Sequence, residues 1–129
     1  MPQASADNLR FPPPVLPEAA EDLRAEVRAF LADSAGEEAW RPNSDFGAGF
    51  SPEFSRRLAA KGWIGMTWPK KYGGAERSNL ERYTVTEELL AAGAPVFAHW
   101  IADRQSGPLL LRFGSEAQRT AILPRIASG

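Results

Sequence analysis

The chain offers few side chains that could do chemistry, and they cluster around a single histidine. His99 carries an imidazole that titrates near neutrality, as a general base requires. It sits between Ala98 and Trp100 in a helical stretch with no evident orienting acid, so a packed or interface histidine is the plainer reading. Nearby, Arg104, beside Asp103, is suited to clamp a phosphate or to pair across a subunit contact, and a solvated or local ion pair is expected. Lys70 and Lys71 form the next candidate anion site, but two lysines at a turn are usually solvated. The absence of cysteine removes disulfides, thiolate nucleophiles and sulfur ligands together, and one histidine cannot supply the nitrogens of a zinc site. Glycine groupings at Gly47 and Gly49, Gly62 and Gly65, and Gly73 and Gly74 invite comparison with a phosphate-binding loop. A dinucleotide fingerprint needs a preceding strand and a following helix N-terminus, and no such strand is predicted, so turn and cap glycines are expected.

The elements that must position these residues are helices. Met1 to Pro17 holds five prolines, a density that excludes helix interior and central strand, and reads as an extended arm over residues 1–17. From Glu18, the residues Leu23, Val27, Phe30 and Leu31 fall on one face and charges on the other, predicting an amphipathic helix that ends near Ser34 to Gly36. A loop follows as far as Phe50. Ser51 and Pro52 open a second helix with Phe54 and Leu58 buried, and Gly62 suits a left-handed ending that folds Trp63 back onto Leu58. Ser78 with Glu81 predicts a capping box, for a helix running to Gly93. Val96 to Ser106 is expected to be helical and broadly apolar, broken at Gly107-Pro108 before a short turn from Leu109 to Phe113. Ser115 with Gln118 makes a second capping box, for a helix expected to end before Pro124. No segment alternates apolar and polar residues between turn signals, so no strand is assigned.

Bulk properties narrow the function classes. At 129 residues the chain fits one domain, and 15 basic against 16 acidic residues leave no electrostatic footprint for nucleic acid or an anionic membrane. No apolar run approaches the roughly 18 residues of a membrane span, which supports a cytoplasmic protein. Arginine outnumbers lysine 12 to 3, a bias common in GC-rich bacterial genomes.

The stretch GWIGMTWPKKYGG from Gly62 to Gly74, together with the closing run GSEAQRTAILPRIASG, resembles the N-terminal helical domain of the flavin-dependent acyl-CoA dehydrogenases. The resemblance covers about Glu18 to Gly129. It implies an all-α fold, an irregular orthogonal bundle of about five helices, with the family's middle β domain and C-terminal helical domain absent from residues 18–129. The implied reaction is α,β-dehydrogenation of an acyl-CoA thioester. A glutamate removes the α proton, the β hydrogen leaves as hydride to FAD, and the electrons pass to an electron-transferring flavoprotein. The family places the glutamate and the main flavin contacts in the missing domains, so this chain alone is expected to be inert and to hold no FAD. By position from the Gly114 end, Phe97, Ala98, Ile101 and Gln105 would border the acyl group, although the residues alone favour plain core. The wording AHWIADRQSGP resembles an actinobacterial branch that acts on bulky acyl groups such as steroid side chains, with members that pair as unlike subunits. An acyl-CoA oxidase or flavin monooxygenase on the same fold, and a non-catalytic helical partner subunit or standalone interaction module, remain the alternatives.

Overall fold

The computed structural model describes residues 15–34 and 49–129. Most of the proline-rich arm and the loop preceding Gly49 therefore lie outside the described residues. Six α-helices follow in order: α1 Glu18–Ser34, α2 Pro52–Ala60, α3 Asn79–Ala91, α4 Phe97–Ile101, α5 Gly107–Phe113 and α6 Glu116–Ala127. A 3-10 turn at Lys70–Tyr72 and a π-helical turn at Ala102–Ser106 complete the helical elements of the described residues. Among the described residues the only β pairing is an isolated antiparallel bridge between Phe50 and Val96, so the fold is all-α.

In α1, Leu23, Val27, Phe30 and Leu31 are all buried, as their spacing requires. The neighbouring positions Arg24 and Arg28 reach α3 instead. Arg28 Nε donates to Glu88 at 2.8 Å, and Arg24 Nη1 donates to Glu87 at 2.7 Å and also to Glu88. Glu88 is buried, and the bonds from Arg28 and then Arg24 outweigh its burial and hold its carboxyl below the ordinary value. A buried carboxylate is tolerable only when hydrogen-bonded in this way.

The N-terminus of α2 is capped by Ser51, whose Oγ accepts from the Phe54 N–H at 3.2 Å. Its C-terminus closes as a Schellman motif. The Gly62 N–H donates to the Ala59 carbonyl at 2.8 Å and the Trp63 N–H to Leu58 at 3.2 Å, with Gly62 at φ +69°. Trp63 is thereby carried into the core, where it meets Phe30 edge-on at 5.2 Å between centroids. Both capping boxes are present, Ser78 with Glu81 on α3 and Ser115 with Gln118 on α6.

Two expectations fail. The run after Val96 is not broken at Gly107-Pro108, because the π turn at 102–106 leads directly into α5. Proline at the first turn of α5 needs no N–H donor of its own, so the chain continues. Nor does α6 stop before Pro124, which lies inside it. An interior proline removes one bond. Here Leu123 and Ala127, on either side of it, are buried in one cluster with Trp68 and Tyr72, and the Ser128 N–H still reaches the Pro124 carbonyl at 3.0 Å. These contacts hold the final turn in place.

Two hydrophobic clusters result. The larger joins α1, α2 and α3 through Trp63, Ile64 and Met66, and the smaller seats Trp68 and Tyr72 against α6. No helix among the described residues is long and apolar enough to cross a membrane.

Candidate functional site

The helical run from Phe97 to Phe113 has one face locked to the rest of the domain and one face turned outward. It starts from a tether, the Phe97 N–H donating to the Gly49 carbonyl at 3.1 Å. Its middle widens where the Gly107 N–H reaches back five residues to the Ala102 carbonyl. Such π turns insert a residue into a helix and rephase the side chains beyond it. Inward-facing Asp103 and Gly107 are both buried, Asp103 to 3% exposure. Asp103 Oδ1 accepts the Gly65 N–H at 3.0 Å and Oδ2 accepts from Arg104 Nε at 3.3 Å. Arg104 in turn donates to the Thr86 hydroxyl on α3. The Asp103–Arg104 pair is thus local, as expected, but buried on its acidic side rather than solvated.

His99 lies one turn before Asp103 on the same flank. Its Nε2 is hydrogen-bonded to Ser55 Oγ at 2.8 Å, an interaction in which either group can donate according to the imidazole tautomer. Burial lowers its pKa below the ordinary imidazole value; Asp103 opposes that shift and Arg104 adds to it. His99 is therefore the packed histidine expected, joining α4 to α2. A cleft of about 20 Å3 between Trp63, His99, Trp100 and Asp103 has room for a water.

The outward face carries three of the four residues expected to border a ligand. Phe97 and Ile101 are 38% and 44% exposed, and Gln105 is exposed one π turn further along. Ala98 is half-buried and sits apart from them, lining a groove of about 220 Å3 with Phe50, Ser55, Ala102 and Ile126. The structure thus places three of the four on one exposed strip and the fourth at the edge of a neighbouring groove. Leu109 and Phe113 extend the exposed apolar surface along α5. The groove, at about 220 Å3, is smaller than a typical small-molecule pocket.

Lys70 is exposed and lies 3.9 Å from Glu76, while Lys71 pairs with Glu116 at 3.6 Å over the Tyr72 ring. The glycines at 62, 65 and 73 are turn positions with positive φ. Among the described residues no strand leads into a glycine-rich turn, the context a dinucleotide fingerprint needs. No group of acidic or histidine side chains among them is placed to hold a metal. Sequence reasoning missed the acceptor role of Asp103 and the Ser55 partner of His99. The signal available was the four-residue spacing of His99, Asp103 and Gly107, which puts a lone carboxylate on an inward strip.

The sequence profile described as "Acyl-CoA dehydrogenase, N-terminal domain" matches residues 17–129. The acyl-CoA dehydrogenase FadE26 of Mycobacterium tuberculosis is 32% identical over 114 residues, covering 84% of this chain and 28% of that protein. A solved structure described as the Tcur3481-Tcur3483 steroid ACAD superposes with a TM-score of 0.72 at 34% identity, covering 88% of this chain and 30% of that one. The ChsE4-ChsE5 complex from Mycobacterium tuberculosis gives a TM-score of 0.69 at 28% identity, covering 90% and 29%. The chain spans under a third of the length of each of these proteins.

Proposed function

This chain belongs to the acyl-CoA dehydrogenase family, as its N-terminal domain, and on that premise we propose that it forms one wall of the acyl pocket in a flavin-dependent dehydrogenase. The reaction is α,β-dehydrogenation of an acyl-CoA thioester, for which FAD, held by other parts of the full-length enzyme, supplies the oxidising power when bound. Electrons leave through an electron-transferring flavoprotein. The residues of this chain bind and shape; they take no proton.

The observation that carries this reading is the exposed strip of Phe97, Ile101 and Gln105 on a helix whose opposite face is fastened by Asp103 and Gly107. Large apolar side chains held outward on a rigid element are what an acyl chain needs on one side. Ala98 adds a small residue beside a groove, leaving room for a wide group. A bulky substrate, of the size of a steroid side chain, and assembly with an unlike subunit are the finer reading. Support comes from the likeness to a steroid ACAD and to a two-protein complex.

The test is to purify the full-length enzyme, alone and with a co-expressed partner subunit, and to follow bleaching of its flavin by acyl-CoA thioesters of increasing bulk. Bleaching with product formation through an electron-transferring flavoprotein is expected. Turnover coupled to direct oxygen consumption would instead make it an oxidase or monooxygenase. A colourless full-length protein unresponsive to any acyl-CoA would make it a non-catalytic subunit.

A further inference from the structure

We propose that Asp103 is a positioning residue that sets how bulky an acyl group the pocket wall accepts, by latching the π turn to Gly65. This rests on the acyl-wall reading of Phe97, Ile101 and Gln105. Asp103 lies two residues after Ile101 and two before Gln105, so its inward direction turns both of those outward.

A carboxylate at 3% exposure is costly unless its oxygens are occupied, and both are. One takes the Gly65 N–H at 3.0 Å, the other Arg104 Nε at 3.3 Å. Gly65 belongs to the turn between Trp63 and Met66 and has φ +63°, a left-handed conformation that glycine adopts without steric cost. Arg104 carries the restraint on to α3 through Thr86. Three elements therefore meet at one side chain. The restraint falls on a π turn, a rare single-turn bulge of the kind that sits inside α-helices frequently at functional sites. Hydrogen bonds to a charged group are the stronger kind, and they are made here out of water. Releasing them lets the turn relax and moves Ile101 and Gln105 together, while the reacting thioester is untouched.

The experiment uses the full-length, flavin-loaded enzyme. It compares kcat/KM for a steroid-side-chain acyl-CoA and for butyryl-CoA, with amide hydrogen exchange read at Gly65. Asp103→Ala is expected to lower the ratio of bulky to short kcat/KM by tenfold or more and to speed exchange at Gly65. Asp103→Asn keeps an oxygen for the Gly65 N–H, and should hold the ratio within about threefold of the unmodified enzyme. Equal loss on both substrates, an unchanged ratio in Asp103→Ala, or a loss in Asp103→Asn as large as in Asp103→Ala would each overturn the proposal. Should Asp103→Ala fail to fold, Arg104→Ala removes the second partner alone; a ratio lowered about threefold supports the latch and an unchanged one overturns it. Absence of acyl-CoA turnover in the unmodified enzyme would strike the acyl-wall reading first, before any variant is made. The specificity role would then fall with it, although exchange at Gly65 would still report whether the bond holds the turn.

Discussion

Gly107 packs so closely on the edge of the Trp68 indole that a Cβ at position 107 would overlap the ring at Cζ2. Gly65 closes on the same ring from another side, where a Cβ would stand 2.7 Å from Cε3. Trp68 is 2% exposed, and its Nε1–H has no acceptor among the described residues. Shape rather than a hydrogen bond holds the indole, while the Trp68 backbone N–H donates to the Gly65 carbonyl at 2.9 Å.

Two opposed effects make Gly107→Ala informative. Gly107 has φ −60°, ordinary helical backbone, so alanine alone would stabilise the helix by about 0.5 to 1 kcal/mol. Overpacking against Trp68 costs about 1 to 3 kcal/mol or more. The expected outcome is a net loss, read as a lower urea midpoint with altered tryptophan emission. A raised midpoint would mean that the indole gives way.

Trp63→Ala removes a buried ring that meets Phe30 at 5.2 Å and closes the α2 ending. It should cost about 3 to 5 kcal/mol. Gly62→Ala probes the backbone instead, since φ +69° penalises a Cβ by about 1 kcal/mol or more while space for the atom exists. Denaturation midpoints for the two variants should therefore fall in that order.

His99 predicts an acid-sensitive component of stability. Burial lowers its folded pKa, so the unfolded chain takes the proton first and acid favours unfolding. The contribution is present above the ordinary imidazole value, about 6.5, and is lost as the pH falls through it toward the folded value. Glu88, held below its ordinary value chiefly by Arg28, loses its contribution only further down, as the pH passes below 4.5. Unfolding midpoints measured against pH should show two separate declines. His99→Asn should abolish the upper one and leave the lower.

Ala98→Phe tests the wall directly. The groove beside Ala98 holds about 220 Å3, and a phenyl group would fill much of it. In the full-length enzyme kcat/KM for the bulkiest accepted acyl-CoA should fall tenfold or more, about 1.4 kcal/mol of transition-state binding, with short substrates much less affected. Equal loss on both would indicate misfolding, and no loss on either would place Ala98 away from the substrate.

The sequence by itself determined the local structure, because caps and periodicities act over a few residues. Ser51, Ser78 and Ser115 each sit three positions before the group they cap, and Leu23, Val27, Phe30 and Leu31 share a face at any helical geometry. Gly62 and Trp63 likewise announced the Schellman ending. The family was legible for a related reason, since the Gly62 to Gly74 turn combines residues that few folds need together.

Tertiary structure alone decided the rest. Proline rules predicted breaks at Pro108 and Pro124, yet burial beside Trp68 and Tyr72 carries the chain through both, once by a π turn and once by an interior proline. Those rules weigh lost backbone bonds and cannot weigh contacts from residues distant in the chain, such as Trp68 against Gly107. The same distance hid the acceptor role of Asp103 and the pairing of His99 with Ser55, whose partners are separated by 38 and 44 positions. Which side of the Phe97 to Phe113 run faces outward depends on those partners, and so does any wall it forms.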